Sequence, residues 1–463
     1  MNYISTRGGG SPVDFETALL TGLAGDGGLY VPESWPQFST AELTRLARLD
    51  YAELAFEVMA PLVGDAIPSA RLQSLIDAAY DSFDHKAVTP LVQLDRRNWL
   101  LELFHGPTLA FKDVALQLVG RLFDDVLTRR KARVTILVAT SGDTGSAAIH
   151  AIAGRAAADI FVLHPHGRTS DIQRLQMTTV TEPNVHNIAI EGTFDDCQAL
   201  VKAMFNDSDF RDKARLSGMN SINWARVMPQ IVYYFHAALS LGRESRPTDF
   251  SVPTGNFGDI YAGFAAKRMG LPVGQLIIAT NVNDILARTL ATGRYAVGEV
   301  SQTISPSMDI QISSNFERLL FDAAGRDPAA VRRYMDGLSQ SGAFTLSEAA
   351  HQAICEDFAA CRIDEAETRA EIAQSYRETG MLIDPHSAVG RAAARRQIQP
   401  DRETPMVTLA TAHPGKFPDA VQEATGQTPA LPERYADLRE REERYEILPN
   451  DLQAVESFIK ARI

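Results

Sequence analysis

The sequence predicts an α/β fold, and three observations carry that expectation. The chain has 463 residues, more than one hydrophobic core usually serves, so two or three domains are expected. From about residue 99 to 281, short apolar runs alternate with helical segments: VTILVA at 134 to 139, IFVLH at 160 to 164, VHNIAI at 185 to 190 and QLIIAT at 275 to 280. Such alternation reads as a parallel sheet flanked by helices. Finally, a strand passes twice through a glycine turn directly into a helix.

Taken in order, residues 1 to about 95 are rich in turn signals, with Gly8 to Gly10, Gly25, Gly27, Gly28, Pro32 and Pro36, followed by short amphipathic patterns such as TAELTRLARL. They predict a small leading domain or cap. The segment TLAFKDVALQLVGRLFDDVLTRR has strong helical periodicity. Residues from about 314 to 380 are mostly helical in pattern, charged, and without a convincing strand. MVTLAT at 406 to 411 is one late strand returning to a sheet, so the C-terminal segment is assigned to the same α/β body. RYADLREREERYE, at 434 to 446, reads as a solvated helical face.

Composition narrows the function. The apolar fraction is 45% and the formal net charge is −13, with a pI near 5.3. That balance argues against a broad phosphate-tracking surface, so no nucleic-acid partner is expected and an anionic ligand needs a local basic pocket. Cys197, Cys355 and Cys361 are odd in number and lack CxxC spacing, which predicts neither disulfides nor a cysteine zinc site and fits a reducing, cytoplasmic location. No window approaches eighteen consecutive apolar residues, and the N-terminus does not resemble a signal peptide, so no membrane partner is expected. His105, His164, His166 and His386 lack HExxH spacing and are read as loop or core histidines, with no metal expected.

The two glycine turns carry chemistry. RVTILVAT stops at SGDTG, Ser141 to Gly145, before the helical SAAIHAIAG; DFSVPTG leads into GNFGD, Gly255 to Asp259, before IYAGFAAKRMG. Each arrangement presents free N–H groups and the positive end of a helix dipole to an anion. Neither turn matches GxGxxG or GxxxxGK[ST], which speaks against a dinucleotide or nucleoside triphosphate. Lys112 opens an apolar face continued by Leu116, Val119 and Phe123. A lysine there can lay its stem on the core and reach water, but desolvation also makes it easier to deprotonate. A neutral amine attacks an aldehyde and, once displaced, serves as a base. Pyridoxal 5′-phosphate (PLP) supplies that aldehyde and a phosphate for one helix terminus, and an amino-acid substrate brings a carboxylate for the other.

The segments YISTRGG, GLAGDGGLYVPE, LFHGPTLAFKDVALQ, TSGDTGSAA, SGMNSINWARVMPQ, PTGNFGDIYAG and TLATAHPGKFPDAV follow one another over nearly the whole chain. On these motifs the sequence resembles PLP enzymes of the tryptophan-synthase-β type, and within them the threonine synthases of the longer bacterial and fungal kind. The resemblance implies a fold-type II architecture, with two open twisted α/β domains, the cofactor in the cleft between them, and a small N-terminal domain. The corresponding expectation is 1–95 for the N-terminal domain, 96–132 with 240–463 for the large PLP-binding domain, and 133–239 for the smaller domain carrying SGDTG.

It also implies site roles. Lys112 is the lysine that holds the cofactor as a Schiff base, and Gly255, Asn256, Phe257 and Gly258 cradle the cofactor phosphate. The loop of Ser141, Gly142, Thr144 and Gly145 grips the substrate carboxylate, with Asp143 near the 3′ oxygen of the cofactor. Some relatives have asparagine there, and an ionised Asp143 only accepts, so either it or the ring oxygen carries a proton. Thr411 faces the pyridine nitrogen. Ser221, Asn223 and Arg226 bind the substrate phosphate, Arg226 through its planar fork, with Lys416 and His413 adding positive charge. The implied activity is conversion of O-phospho-L-homoserine and water to L-threonine and phosphate, by a monomer or homodimer. Two alternatives stay open at this stage: a phospholyase relative releasing 2-oxobutyrate, ammonia and phosphate, and a non-catalytic binding protein on the same scaffold.

Overall fold

The computed structural model describes residues 1–140, 142–242, 245–397 and 403–463. Two parallel sheets dominate it. The larger runs Phe358–Arg362, Val273–Thr280, Thr248–Pro253, Met406–Ala410, Asn98–Glu102 and Leu91–Gln93, with only the last strand antiparallel. The smaller runs Glu446–Pro449, Val185–Glu191, Ala158–Pro165, Val134–Ala139 and Leu216–Ser217, all parallel. Every expected strand is present, because runs such as VTILVA are apolar on both faces and can be buried only between layers of helices.

The helix Lys112–Arg129 joins the two bodies. Leu116, Val119 and Phe123 are fully buried, as the stripe predicted. It packs on Asp143–Ile152, the helix after the first glycine turn, and on Trp224–Ser240. The contact is close at Gly120, where an added Cβ would run into the carbonyl oxygen of Ala151, so any larger residue forces the helices apart.

The N-terminal segment forms a two-stranded antiparallel ribbon, Tyr3–Ser5 with Tyr30–Pro32, and the helices Phe15–Thr21, Thr40–Leu46, Tyr51–Val63 and Ser69–Tyr80. It is keyed into the body by the buried Tyr3, whose hydroxyl donates to the Leu62 carbonyl at 2.6 Å and accepts from Trp224 Nε1 at 2.9 Å.

The structure departs from the sequence expectations at five places. The stretch 314 to 380 contains strands Ala343–Thr345 and Phe358–Arg362 as well as helices. FAACR has little β-branched character and follows a helix without a turn, so its strand state comes from docking on the edge of Val273–Thr280. The boundary at 95 falls inside the Leu91–Gln93 and Asn98–Glu102 hairpin, so the large sheet begins earlier. Assignment of 240–463 to the large domain fails at its end. Glu446–Pro449 completes the small sheet, and Val455 and Ile459 of the helix Leu452–Lys460 pack with Cys197 and Phe210. In the other direction Trp224–Ser240, placed in 133–239, lies against Gly258–Arg268, Lys112–Arg129 and Tyr51–Val63, because both of its faces are apolar. Lastly, 434 to 446 is not a helix beyond the short turn Glu433–Tyr435; Tyr435 and Leu438 are buried, and Arg434 and Arg441 lie over the Tyr435 ring.

Candidate active site

The site sits at the carboxyl ends of strands from both sheets, where open α/β structures bind ligands. Lys112 is the first residue of its helix, and its side chain is 11% exposed. Its Nζ lies 3.3 Å from Asp143 Oδ2 and 3.5 Å from Ser307 Oγ. Burial lowers its pKa, reinforced by the charges of Lys416 and Arg226 and opposed by Asp143. The lysine, the SGDTG turn and the arginine of SINWAR, expected from separate segments, are therefore within electrostatic reach of one another.

Asp143 is 5% exposed and accepts from Lys416 Nζ at 2.8 Å and Gln173 Nε2 at 2.9 Å on Oδ1. Burial works against its charge, but Lys416, Lys112 and Gln173 hold its pKa well below the usual carboxylate range. Asp143 is thus an anion in this arrangement. Of the turn around it, Ser141 lies outside the described residues. Gly142 and Gly145 direct their N–H groups onto Thr140 Oγ1, at 3.0 Å each, which fixes the turn from within. The first-turn N–H groups of Asp143 and Thr144 point along the helix axis, where a carboxylate is best received.

The second turn is built for a close-fitting anion. Phe257 has φ of 65°, a left-handed conformation that favours glycine, and its ring is held between Phe316 and Phe358 at centroid distances of 5.3 and 5.7 Å. The carbonyls of Gly255 and Asn256 are turned outward, accepting from Ser313 Oγ at 2.7 Å and from Asn315 Nδ2 at 2.9 Å. A Cβ at Gly255 would stand 2.8 Å from the Ser307 carbonyl oxygen. With its carbonyls withdrawn, the turn leaves the N-terminus of Gly258–Arg268 free to receive an anion. These features fit PLP: a cradle for its phosphate and a desolvated lysine for its aldehyde.

Arg226 is 4% exposed and has no carboxylate partner among the described residues. Its Nη1 donates to the Met219 carbonyl at 3.1 Å, while Nε is buried without a partner. Burial lowers its pKa to about 10, which leaves it charged at neutral pH. An unopposed buried guanidinium with donors to spare is what a phosphoryl group requires. Asn223 does a different job: Oδ1 caps its helix through Ala225 N at 3.0 Å, and Nδ2 donates to the Leu19 carbonyl at 2.8 Å. Ser221 supplies its carbonyl to Asn315 Nδ2 at 3.2 Å. A cleft of about 600 Å³, lined by Thr21, Leu23, Lys202, Asn220 and Asn223 among others, runs beside this segment.

Thr411 is 5% exposed at the end of Met406–Ala410, with its N–H donating to Ser387 Oγ at 3.2 Å and its carbonyl accepting from Phe111 N at 2.8 Å. Lys416 is fully buried, and its ammonium is taken by Asp143 and by the Thr108 carbonyl at 2.7 Å. The expectation that His413 adds positive charge is overturned: burial brings its pKa down to about 4, so it is neutral, and its Nδ1 accepts from Gly415 N.

Sequence reasoning missed two contributors. Ser307 reaches Lys112 from a loop folded around Asp309, whose Oδ1 accepts from Asn281, Asn283 and Thr303 at 2.7 to 3.0 Å. Asp384 and His386 form the second. His386 Nδ1 is 2.7 Å from Asp384 Oδ2, and its Nε2 accepts the Ser307 N–H at 3.2 Å. Ser387 donates to the same carboxylate and accepts the N–H of Thr411. The DPHS tetrapeptide, Asp384 to Ser387, was the available signal, since it gathers an aspartate, a histidine and a serine at one helix start.

Comparison with known proteins agrees with this geometry. Residues 83–412 match the family described as pyridoxal-phosphate dependent enzyme, so the chain belongs to that class. Its flanks match the threonine synthase N terminus over residues 2–80 and the threonine synthase C-terminal family over 387–459. The threonine synthase of Pseudomonas aeruginosa is 54% identical over 460 residues, covering 99% of this chain and 98% of that one. The PLP-bound threonine synthase structure from Brucella melitensis superposes with a TM-score of 0.98 at 56% identity, covering 100% of this chain and 99% of that one. The yeast threonine synthase structure does so with a TM-score of 0.96 at 41% identity, covering 100% and 98%. Within the PLP-dependent class, the chain belongs to the threonine synthase family.

Proposed function

We propose that the chain is a PLP-dependent lyase converting O-phospho-L-homoserine and water to L-threonine and phosphate by γ-elimination and β-addition, with Lys112 as the catalytic base. The observation that carries this reading is the conjunction of a desolvated Lys112 with a buried Arg226 that has no counter-ion among the described residues and keeps an unpartnered Nε. A substrate that is both an amine and a phosphate monoester satisfies both.

PLP, bound with its phosphate on the turn 255–258, supplies an aldehyde for amines and a ring that accepts the charge left when a neighbouring proton departs. The N-terminus of the Asp143 helix receives the substrate carboxylate, and Arg226 receives its phosphate. Held at both ends, the substrate presents its Cα proton to Lys112 Nζ, which burial keeps ready to accept it. Lys112 would pass that proton on to bound PLP and, neutral again, take one from Cβ as the phosphate leaves Cγ and give it to Cγ afterward. Water adds at Cβ and gives its proton to the released phosphate, and the proton first taken from Cα is returned there through Lys112. Arg226 stabilises the departing phosphate dianion, and Asp143 stays an acceptor throughout.

No helix among the described residues is long and apolar enough to cross a membrane, which agrees with a small-molecule substrate met in water. The test has two parts. Borohydride reduction followed by peptide mass spectrometry is expected to mark Lys112, and Lys112→Ala is expected to lose the visible cofactor absorbance with nearly all turnover. Product analysis is expected to give threonine, whereas 2-oxobutyrate with ammonia would point to the phospholyase reading instead.

A further inference from the structure

Two ammonium groups share one carboxylate at the centre of this molecule. Asp143 Oδ1 is taken by Lys416 at 2.8 Å, with Gln173 Nε2 beside it at 2.9 Å, and Oδ2 is left for Lys112 at 3.3 Å. The three residues come from different parts of the fold: Asp143 opens a helix of the small sheet, Lys416 follows the large-sheet strand Met406–Ala410, and Lys112 begins the helix between them. The Lys416 side chain has no exposed surface and also donates to the carbonyl of Thr108, four residues before Lys112. Thr108 is fixed in turn, its N–H and hydroxyl bonding the buried Asp113 at 2.6 and 2.9 Å. Lys416 is thus locked into one position rather than offered to a ligand.

We propose that Lys416 is a positioning residue for Lys112: it claims one oxygen of Asp143, anchors that carboxylate to the loop before Lys112, and makes the neutral amine easier to form than it would be beside an undivided carboxylate. The proposal rests on the reading of Lys112 as the cofactor lysine. Among the described residues, the charged groups that face Lys112 are Asp143, Lys416, Arg226 and Asp259, and of these the carboxylates favour its ammonium form. Lys416 opposes that form twice, by repelling a second cation and by drawing charge from Asp143.

The test uses the cofactor-free protein and reads the titration of Lys112 itself, from the pH dependence of trace acetylation at that residue followed by peptide mass spectrometry. Lys416→Met is expected to raise the midpoint by about one pH unit, roughly a tenfold smaller neutral fraction at a given pH. Lys416→Arg, which keeps the charge, is expected to return it most of the way. An unmoved midpoint in Lys416→Met, or an equal rise in Lys416→Arg, overturns the proposal. In an Asp143→Asn background the Lys416→Met shift is expected to shrink, and a shift of unchanged size overturns the division of the carboxylate. Should Lys416→Met not melt cooperatively, Asp143→Asn alone decides: the Lys112 midpoint falls if that carboxylate governs it, and no fall overturns the idea. Borohydride labelling of the holoenzyme keeps the two readings apart, since label away from Lys112 in the parent protein would refute the cofactor assignment rather than the role of Lys416.

Discussion

Arg226 and Arg318 are both buried guanidiniums whose pKa burial brings down to about 10, and neither pairs with a carboxylate among the described residues. They differ in what their nitrogens touch. Arg318 donates from Nε to the Tyr30 carbonyl at 3.0 Å, from Nη1 to Asn315 Oδ1, and from Nη2 to the Ile222 carbonyl at 2.6 Å. Its charge is spread over oxygens that bind the N-terminal ribbon, the SINWAR turn and the Asn315 loop into one block. Arg226 has one such bond and an idle Nε. Burial and charge are common to both, so what separates the two is the donor that Arg226 leaves unspent.

Four measurements break or sharpen that contrast. The largest effect is expected in Arg226→Met, where kcat/KM for the phosphorylated substrate falls about 10³-fold, roughly 4 kcal/mol of lost transition-state stabilisation, while the melting temperature holds. A variant that keeps its turnover would remove Arg226 from the site. Arg318→Met is expected to do the reverse, costing about 3 kcal/mol of stability by denaturant titration because it strands three oxygen acceptors. Third, inorganic phosphate at a hundredfold excess over its Kd is expected to stabilise the cofactor-free protein by about 2.7 kcal/mol, with part of that gain lost in Arg226→Met and retained in Arg226→Lys. If the two variants respond alike, charge at this position is not what the anion reads.

The fourth measurement concerns the anion cradle from behind. Asp259, in the first turn after Gly258, accepts from the Tyr233 and Tyr234 hydroxyls, and its Oδ2 is buried without a partner. Burial raises its pKa from 3.8 to about 7, against the pull of those hydroxyls and Lys112. The folded state therefore holds its proton more tightly than the unfolded state does. Its contribution is complete below pH 3.8 and is lost as pH rises through about 7. Asp259→Asn, which mimics the protonated form, is expected to flatten the stability profile of the cofactor-free protein across that window, as followed by melting temperature against pH. A profile as steep as the parent's would place the titration elsewhere.

Most of the framework was legible in the sequence because its signals are local. The Lys112 helix announced itself by Leu116, Val119 and Phe123, and each long strand by an apolar run that no exposed segment would tolerate. The glycine turns were readable because a chain entering a helix through Gly-Asn-Phe-Gly has little else to do there. Elements whose state depends on a distant partner were not legible. FAACR becomes a strand only against Val273–Thr280, and Ser307 approaches Lys112 only because Asp309 gathers three side chains from other parts of its loop. Nor does composition reveal how a charge is spent. Asn223 and Lys416 look like ligands in a motif, yet one caps a helix and the other divides a carboxylate.

The strand Glu446–Pro449 forms the edge of the small sheet beside Val185–Glu191, although it emerges from the ribosome long after its neighbour. Until it arrives, Val185–Glu191 presents an open row of amides and carbonyls, and Cys197, Phe210 and Leu200 lack the cover of Val455 and Ile459. A nascent chain therefore carries an adhesive flank through most of its synthesis, and chaperone demand or insoluble expression should follow truncation before residue 446 more closely than changes around Lys112.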